Sequence, residues 1–392
     1  MTVMKIGDIT QIKSGYAFQS KRFNGEGKGM PLIRIRDVGK NNPITYYEGD
    51  YSEEYVVKKG DFLISMDGEF KIAQWKGQTA LLNQRVCKIA ANEHFIDSKY
   101  MYYFLPRELQ KIEDTTSFVT VKHLSVKQIK DIEMSLPPIE EQKKIALILS
   151  KAQTLIEKRK EAIAKLDELV QSVFSSMFGD PIKNEKGWEQ VSLNNIGETI
   201  GGLQVTSKRS IHPIEVPYLR VANVFRDFLN LSEIKFMQVT QREFDRTKLV
   251  AGDILIVEGH GNQNEIGRSA VWDDSIQGCV HQNHLIKFRA NRKWVNPVFV
   301  SAFLNSPSGR RQLLKYSNTT SGLNTISTTT VKKLIVYLPP LELQNKFEFI
   351  IGRIKEEKKQ MEQSLSELQI NLQSLLQHAF KGELDINKKL TV

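Results

Sequence analysis

Apolar side chains recur between Ile145 and Met177 at spacings that alternate four and three residues: Ile145, Leu149, Ala152, Ile156, Arg159, Ile163, Leu166, Val170, Val173 and Met177. The same register returns 202 residues later as Phe347, Ile351, Ile354, Lys358, Met361, Leu365, Leu368, Leu372, Leu375 and Ala379. Alternation sustained over so many heptads predicts two helices that pair along an apolar seam. Each run lasts about forty residues, so at 1.5 Å per residue each helix would extend ~60 Å, twice the width of a small domain. The rest of the chain must therefore be organised around two rods. Arg159 and Lys358 are the only charges in the seams. They fix the register at some cost in stability, or their long stems carry the charge out to water.

The rods belong to a larger duplication. Leu136-Pro137-Pro138-Ile139-Glu140-Glu141-Gln142 recurs as Leu338-Pro339-Pro340-Leu341-Glu342-Leu343-Gln344, and Gly60-Asp61-Phe62-Leu63-Ile64 as Gly252-Asp253-Ile254-Leu255-Ile256. Ile6-Gly7-Asp8 is echoed by Ile196-Gly197-Glu198, and Pro31-Leu32-Ile33-Arg34 by Pro217-Tyr218-Leu219-Arg220. The drifting interval is what insertions in surface loops produce, and a period near 200 residues means duplicated domains rather than a solenoid. Short strand-like runs, Pro31–Val38, Asp61–Met66 and Arg85–Ala90, have counterparts in Tyr218–Val224, Asp253–Val257 and His284–Phe288. Helices are predicted over Asp97–Leu105 and Pro297–Leu304. The Pro-Pro pair stops the chain and restarts it as a helix, and the long helices end at Phe178-Gly179-Asp180-Pro181 and Phe380-Lys381-Gly382-Glu383. The expected fold class is mixed α/β, of the α+β kind. Domains are expected at 1–135 and 181–337, with helical segments at 136–180 and 338–392.

Charge follows the same division. Residues 1–135 hold 20 basic and 17 acidic side chains, and residues 181–337 hold 20 and 13. The two helical segments are neutral, with 7 against 7 and 8 against 8, so the whole excess of +10 lies in the globular parts. A basic excess suits a polyanion such as nucleic acid, or simply a soluble surface.

The order of these parts resembles the specificity (S) subunit of type I restriction–modification systems: a variable region, LPP-x-E-x-Q, a long helix ending in MFGDP, then a second variable region, LPP-x-E-x-Q and a helix ending in AFKGEL. The likeness covers nearly the whole chain. It implies two target recognition domains, each reading one half of a split double-stranded DNA target. It also implies an antiparallel pair of helices, placed about a pseudo-two-fold axis, that spaces the domains and docks two methyltransferase (M) subunits. Restriction (R) subunits complete such a nuclease, and S-adenosylmethionine, ATP and Mg are expected only in those partners. Lengthening a helix by one turn would move its end ~5.4 Å, between one and two base-pair steps.

Candidate DNA-contacting residues are polar or basic and lie on predicted loops. Asp67, Glu69 and Lys71 follow the Gly60–Ile64 strand, and His260, Asn262, Gln263, Asn264 and Arg268 follow its counterpart. Asn and Gln can bond adenine bidentately and Arg can bond guanine, although Gly-rich surface turns have similar composition. Lys13, Ser14, Lys21 and Arg22, loosely matched by Gln204, Thr206, Lys208 and Arg209, would hold phosphates or coat a solvated loop. Thr115, Thr116 and Ser117 match Thr319, Thr320 and Ser321, for which capping a turn is the simpler role. Arg34 and Arg220 precede apolar runs and could equally be buried ion-pair partners. The seam residues are the candidates for partner contact.

Catalytic motifs are missing from the sequence. There is no phosphate-binding G-x-x-x-x-G-K-[ST], no dinucleotide fingerprint at Gly259-His260-Gly261, and no Asn-Pro-Pro-aromatic motif. Cys279, His281 and His284 have a zinc-like spacing but lie in an alternating apolar run without a fourth ligand, which favours a half-buried strand. The chain is therefore expected to be no enzyme, and to transfer no methyl group to DNA by itself. No apolar run reaches the ~18 residues of a membrane span, no signal-peptide core opens the chain, and with only Cys87 and Cys279 a cytoplasmic location is expected. The competing reading is a coiled-coil scaffold whose duplicated domains bind other proteins.

Overall fold

A computed structural model describes residues 2–116, 122–180, 183–320 and 323–384. The chain divides into two compact units. One comprises residues 1–160 and 363–392, the other residues 161–362. Each repeat is built on a four-stranded antiparallel sheet. In the first the strands are β1 (Thr10–Ser14), β2 (Phe62–Ser65), β3 (Ile72–Gln74) and β4 (Val86–Ala91), in the order β1-β4-β2-β3. In the second they are β5 (Gly197–Gly201), β6 (Asp253–Val257), β7 (Ser269–Val271) and β8 (Leu285–Ala290), in the order β5-β8-β6-β7. The registers are equivalent as well: Lys88 faces Leu63 in the first sheet and Lys287 faces Leu255 in the second. A further sheet in each unit contains a parallel strand pair, Leu32 opposite Leu81 and Leu219 opposite His281. Strands from the two ends of each repeat close it, Thr2 opposite Leu136 and Glu189 opposite Leu338.

The longer helices are α1 (Ser98–Thr115), α2 (Ile139–Phe178), α3 (Pro297–Asn305), α4 (Pro307–Lys315) and α5 (Leu341–Lys381). α1 runs ten residues past the expected end at Leu105, because the helix continues through Pro106. In the second repeat the same stretch does break: Ser306 caps α4, accepting from the Gly309 N–H, and Pro307 takes the first-turn position that its missing N–H suits. The runs expected over Pro31–Val38 and Tyr218–Val224 are strands only at their starts and then become 3-10 turns over Ile35–Asp37 and Val221–Asn223. Those turns begin where the Arg34 and Arg220 backbone N–H groups donate to Asp37 and Asn223 at 2.9 Å.

All twenty seam positions of α2 and α5 are buried or half-buried. In the second unit the Phe178 ring lies 5.3 Å from Phe347, and Lys358 Nζ reaches Asp167 Oδ1 at 2.6 Å. Eleven residues back along one helix thus match eleven forward along the other, so the two helices pair antiparallel here. Lys358 resolves its seam position by an ion pair, which exposure on both sides keeps weak. In the first unit Ile145, Ala146 and Leu149 share a core with Leu372, Leu375, Leu376 and Ala379.

The LPP-x-E-x-Q motif joins the rods to the domains. Gln142 is buried; its Oε1 accepts from the Asp97 N–H at 2.9 Å and its Nε2 donates to the Phe95 and Pro137 carbonyls at 3.0 and 2.9 Å. Gln344 repeats this with the Asn296 N–H at 2.8 Å and the Pro339 carbonyl at 2.7 Å. Asp97 and Asn296 are the N-caps of α1 and α3, so one amide ties the first turn of each rod to the first turn of each domain helix. Aromatics close the joint: Phe380 lies 5.3 Å from both Tyr100 and Phe104, and Phe178 lies 4.7 Å from Phe299.

Candidate nucleic-acid interface

In the first repeat the loop after β2 is a tight turn closed by Ser65. Its hydroxyl donates to the Glu69 carbonyl at 2.6 Å and accepts from the Lys71 N–H at 3.0 Å. Gly68 has φ +72°, a conformation that glycine adopts without strain. Phe70 is buried as an anchor, and its N–H donates to Glu113 of α1 at 2.8 Å. Asp67 is largely spent inside the domain, on His123 at 2.7 Å and Arg85 at 3.3 Å. Glu69 and Lys71 stand exposed and pair with each other at 2.7 Å.

The counterpart after β6 projects further. Gly259 and His260 pair as a short strand with Asn324 and Thr325, and a 3-10 turn over Gln263–Glu265 forms the tip. Asn262 shapes the tip: its Oδ1 accepts from the Asn264 N–H at 3.0 Å and its own N–H donates to His260 Nδ1 at 3.0 Å. The Gln263 and Asn264 side chains are exposed. Arg268 corrects the expectation placed on it. It is 6% exposed, pairs with Glu265 at 2.9 Å, donates to the Val221 carbonyl at 3.0 Å and lies 4.7 Å over the Phe225 ring, so it holds the loop and presents nothing to a base. Burial pushes the Glu265 carboxyl up, but the bond from Arg268 and the nearby charges of Arg226 and Arg268 together hold it below its ordinary range.

The proposed phosphate contacts divide in the same way. Lys21 and Arg22, on the 3-10 turn Ser20–Arg22, and Thr206 and Lys208, at the start of Ser207–Ile211, are exposed. Ser14 is also exposed. Lys13 instead pairs with Glu54 and sits 4.8 Å over the Tyr55 ring. Arg209 is a second correction. Its guanidinium grips Glu243 with two bonds of 3.1 Å and is mostly covered, because strand Lys235–Val239 and helix Gln241–Thr247 close over it. That grip pulls the Glu243 carboxyl down to about 2. Thr115 and Thr116 donate back to carbonyls of Lys111 and Ile112, as helix-end caps do, while Ser117 and Ser321 lie outside the described residues. Arg220 pairs with Glu233 at 2.7 Å, whereas Arg34 is exposed.

The Cys279, His281 and His284 side chains do not converge. His281 is buried between the Thr247 and Ile200 carbonyls at 3.2 and 3.3 Å, and burial pushes it down to about 4, whereas His284 is exposed. The sequence reading missed Lys287, which is buried in the middle of the sheet. It donates to the Arg246 and Lys248 carbonyls at 3.2 and 2.9 Å, with its ammonium pushed down to about 8 by burial. Beside it Arg289 and Asp253 form a bidentate pair with both bonds at 2.7 Å. The recurrence of Lys88 and Lys287 at one register was the available signal.

Two related domains, each mounting a polar loop at the same strand end and each bolted by a buried glutamine to one of a pair of long helices, define a duplicated recognition protein. Comparison with known proteins agrees. The type I restriction modification DNA specificity domain matches residues 1–167. The EcoBI specificity subunit of Escherichia coli is 30% identical, with 97% of this chain and 85% of that one covered. The EcoKI specificity subunit of Escherichia coli K12 is 23% identical over 76% and 68%. Among solved structures, the S subunit from M. genitalium has the same fold, with a TM-score of 0.55 at 16% identity over 97% and 96%. A chain from work on complex assembly and conformational transition of the type I R-M system gives 0.60 at 17% identity over 98% of each. This chain belongs to the type I restriction enzyme specificity subunits, and its role is DNA-sequence recognition. The scaffold reading is not favoured.

Proposed function

We propose that the chain reads a bipartite, asymmetric double-stranded DNA target, one half through each repeat, as the non-catalytic member of a larger assembly. The supporting observation is that equivalent loops after β2 and β6 carry different chemistry. Glu69 and Lys71 are offered in the first and the amides of Gln263 and Asn264 in the second, as readers of two different words require. Exposed Lys21, Arg22 and Lys208 add sequence-independent phosphate attraction. The paired helices set the gap between half-sites and dock two M subunits, to which R subunits attach. S-adenosylmethionine, ATP and Mg belong to those partners. Among the described residues no helix is long and apolar enough to cross a membrane.

The test is to insert one in-register heptad into both helices, between Lys160 and Glu161 and between Glu362 and Gln363. Seven residues add ~10 Å, or about three base-pair steps, while keeping the seam in phase. Mapping methylated sites should show both half-words unchanged and the gap lengthened by about three. An unaltered gap in an active assembly refutes the spacer role.

A further inference from the structure

Each loop after the central strand is gripped from behind by the helix that follows the sheet, and the two grips use opposite chemistry. In the second repeat Arg310 of α4 donates to the carbonyls of Gln263 at 3.3 Å, Asn264 at 2.7 Å and Ile266. Arg226, from the hairpin Val224–Leu229, donates to the same Asn264 carbonyl. One turn along α4, Leu313 packs so tightly on Gly267 (φ +66°) that a Cβ there would lie 2.6 Å from its Cδ1. In the first repeat the grip is a carboxylate: Glu113 of α1 accepts from the Phe70 N–H at 2.8 Å. The Glu113 carbonyl also holds Lys122 Nζ at 2.7 Å, and the Lys122 carbonyl accepts from the Gly68 N–H at 3.0 Å.

We propose that Glu113 and Arg310 are positioning residues that set the shape of the two loops, and with it the base preference of each half-site, without touching DNA. This rests on the reading that these loops contact bases. A bidentate amide–adenine contact tolerates displacements of only about 0.5 Å, so the backbone beneath Asn262, Gln263 and Asn264 has to be fixed from outside the tip. A planar guanidinium can serve several carbonyls from one rigid fork, which an ammonium on a flexible stem cannot reproduce. A carboxylate accepting one N–H can be replaced by an amide oxygen.

The experiment compares variants of the full chain in its assembly, reading methylation of DNA libraries randomised in one half-site at a time. Arg310→Met and Arg310→Lys should each relax preference in the second half-word by roughly tenfold at one or more positions and leave the first half-word intact. Glu113→Leu should relax only the first half-word, and Glu113→Gln should restore it. The salt dependence of binding should not change, because no phosphate contact is lost. The double change Gln263→Ala, Asn264→Ala, which leaves the shaping Asn262 in place, separates the two levels. If it alters the second half-word and neither Arg310 variant does, positioning by Arg310 is wrong although the loop reads DNA. If it alters nothing, the loop is no reader and the proposal falls with it. Relaxation of both half-words by Arg310→Lys would also overturn it.

Discussion

Replacing Gln142 by Leu removes one amide and strands three backbone groups. The Asp97 N–H, the Phe95 carbonyl and the Pro137 carbonyl all lose their partner, at 2.9, 3.0 and 2.9 Å. The bond to Pro137 is fully buried and the other two are partly buried. Each neutral bond contributes ~1 kcal/mol net, and a buried orphan costs ~1–3 kcal/mol, so the joint should lose about 3 kcal/mol, with water recovering part at the two outer groups. For a unit of this size, ~3 kcal/mol corresponds to a fall in midpoint of roughly 6–12 °C. Gln142→Glu should be worse at neutral pH, since a carboxylate still accepts from Asp97 but cannot donate to the two carbonyls and leaves a charge in a buried site. Hydrogen exchange at the start of α1, followed alongside thermal unfolding, reads the joint directly. If Gln142→Leu and Gln142→Glu both stay within ~0.5 kcal/mol of the parent, the glutamine is no clamp. Gln344→Leu should behave alike in the other unit, with effects that add because the sites share no partner.

Glu243 is held at about 2 by Arg209, below its unfolded value, so the stability it adds is present above the ordinary carboxylate range and lost as pH falls toward 2. Glu243→Gln should flatten that part of the acid-unfolding profile and cost about 2 kcal/mol at pH 7; a parallel profile in parent and variant rejects the pairing. Phe178→Ala, which opens a cavity among Phe174, Phe299 and Phe347, should cost ~3–5 kcal/mol in denaturant unfolding. Phe380→Ala should cost less, because Phe380 is only half-buried; the reverse order would contradict the packing.

Much of the architecture was legible in the residues alone, because duplication and the 4-3 register are properties of local spacing. Side-chain periodicity dictates that a helix presents a stripe, and a stripe must be covered, so the two rods and the twofold repeat follow without coordinates. The Pro-Pro pair was likewise legible as a break and restart. The purpose of Gln142 and Gln344 was not, since an amide at the start of a helix looks like any polar surface residue until Asp97 and Asn296, 45 and 48 residues away from them, are brought beside it.

The candidate interface shows the same division. Composition placed it on the loops after the central strands, because Gly, Asn, Gln and charge collect where the chain leaves the sheet. Which side chains remain available was decided by partners far off in sequence: Arg209 is taken by Glu243 34 residues on, Asp67 by His123 56 residues on, and Arg268 by Val221 47 residues back. A charged group is committed or free according to what the fold places within hydrogen-bonding distance. The sequence determines which residues can bond, and only the tertiary structure decides which bonds are already made.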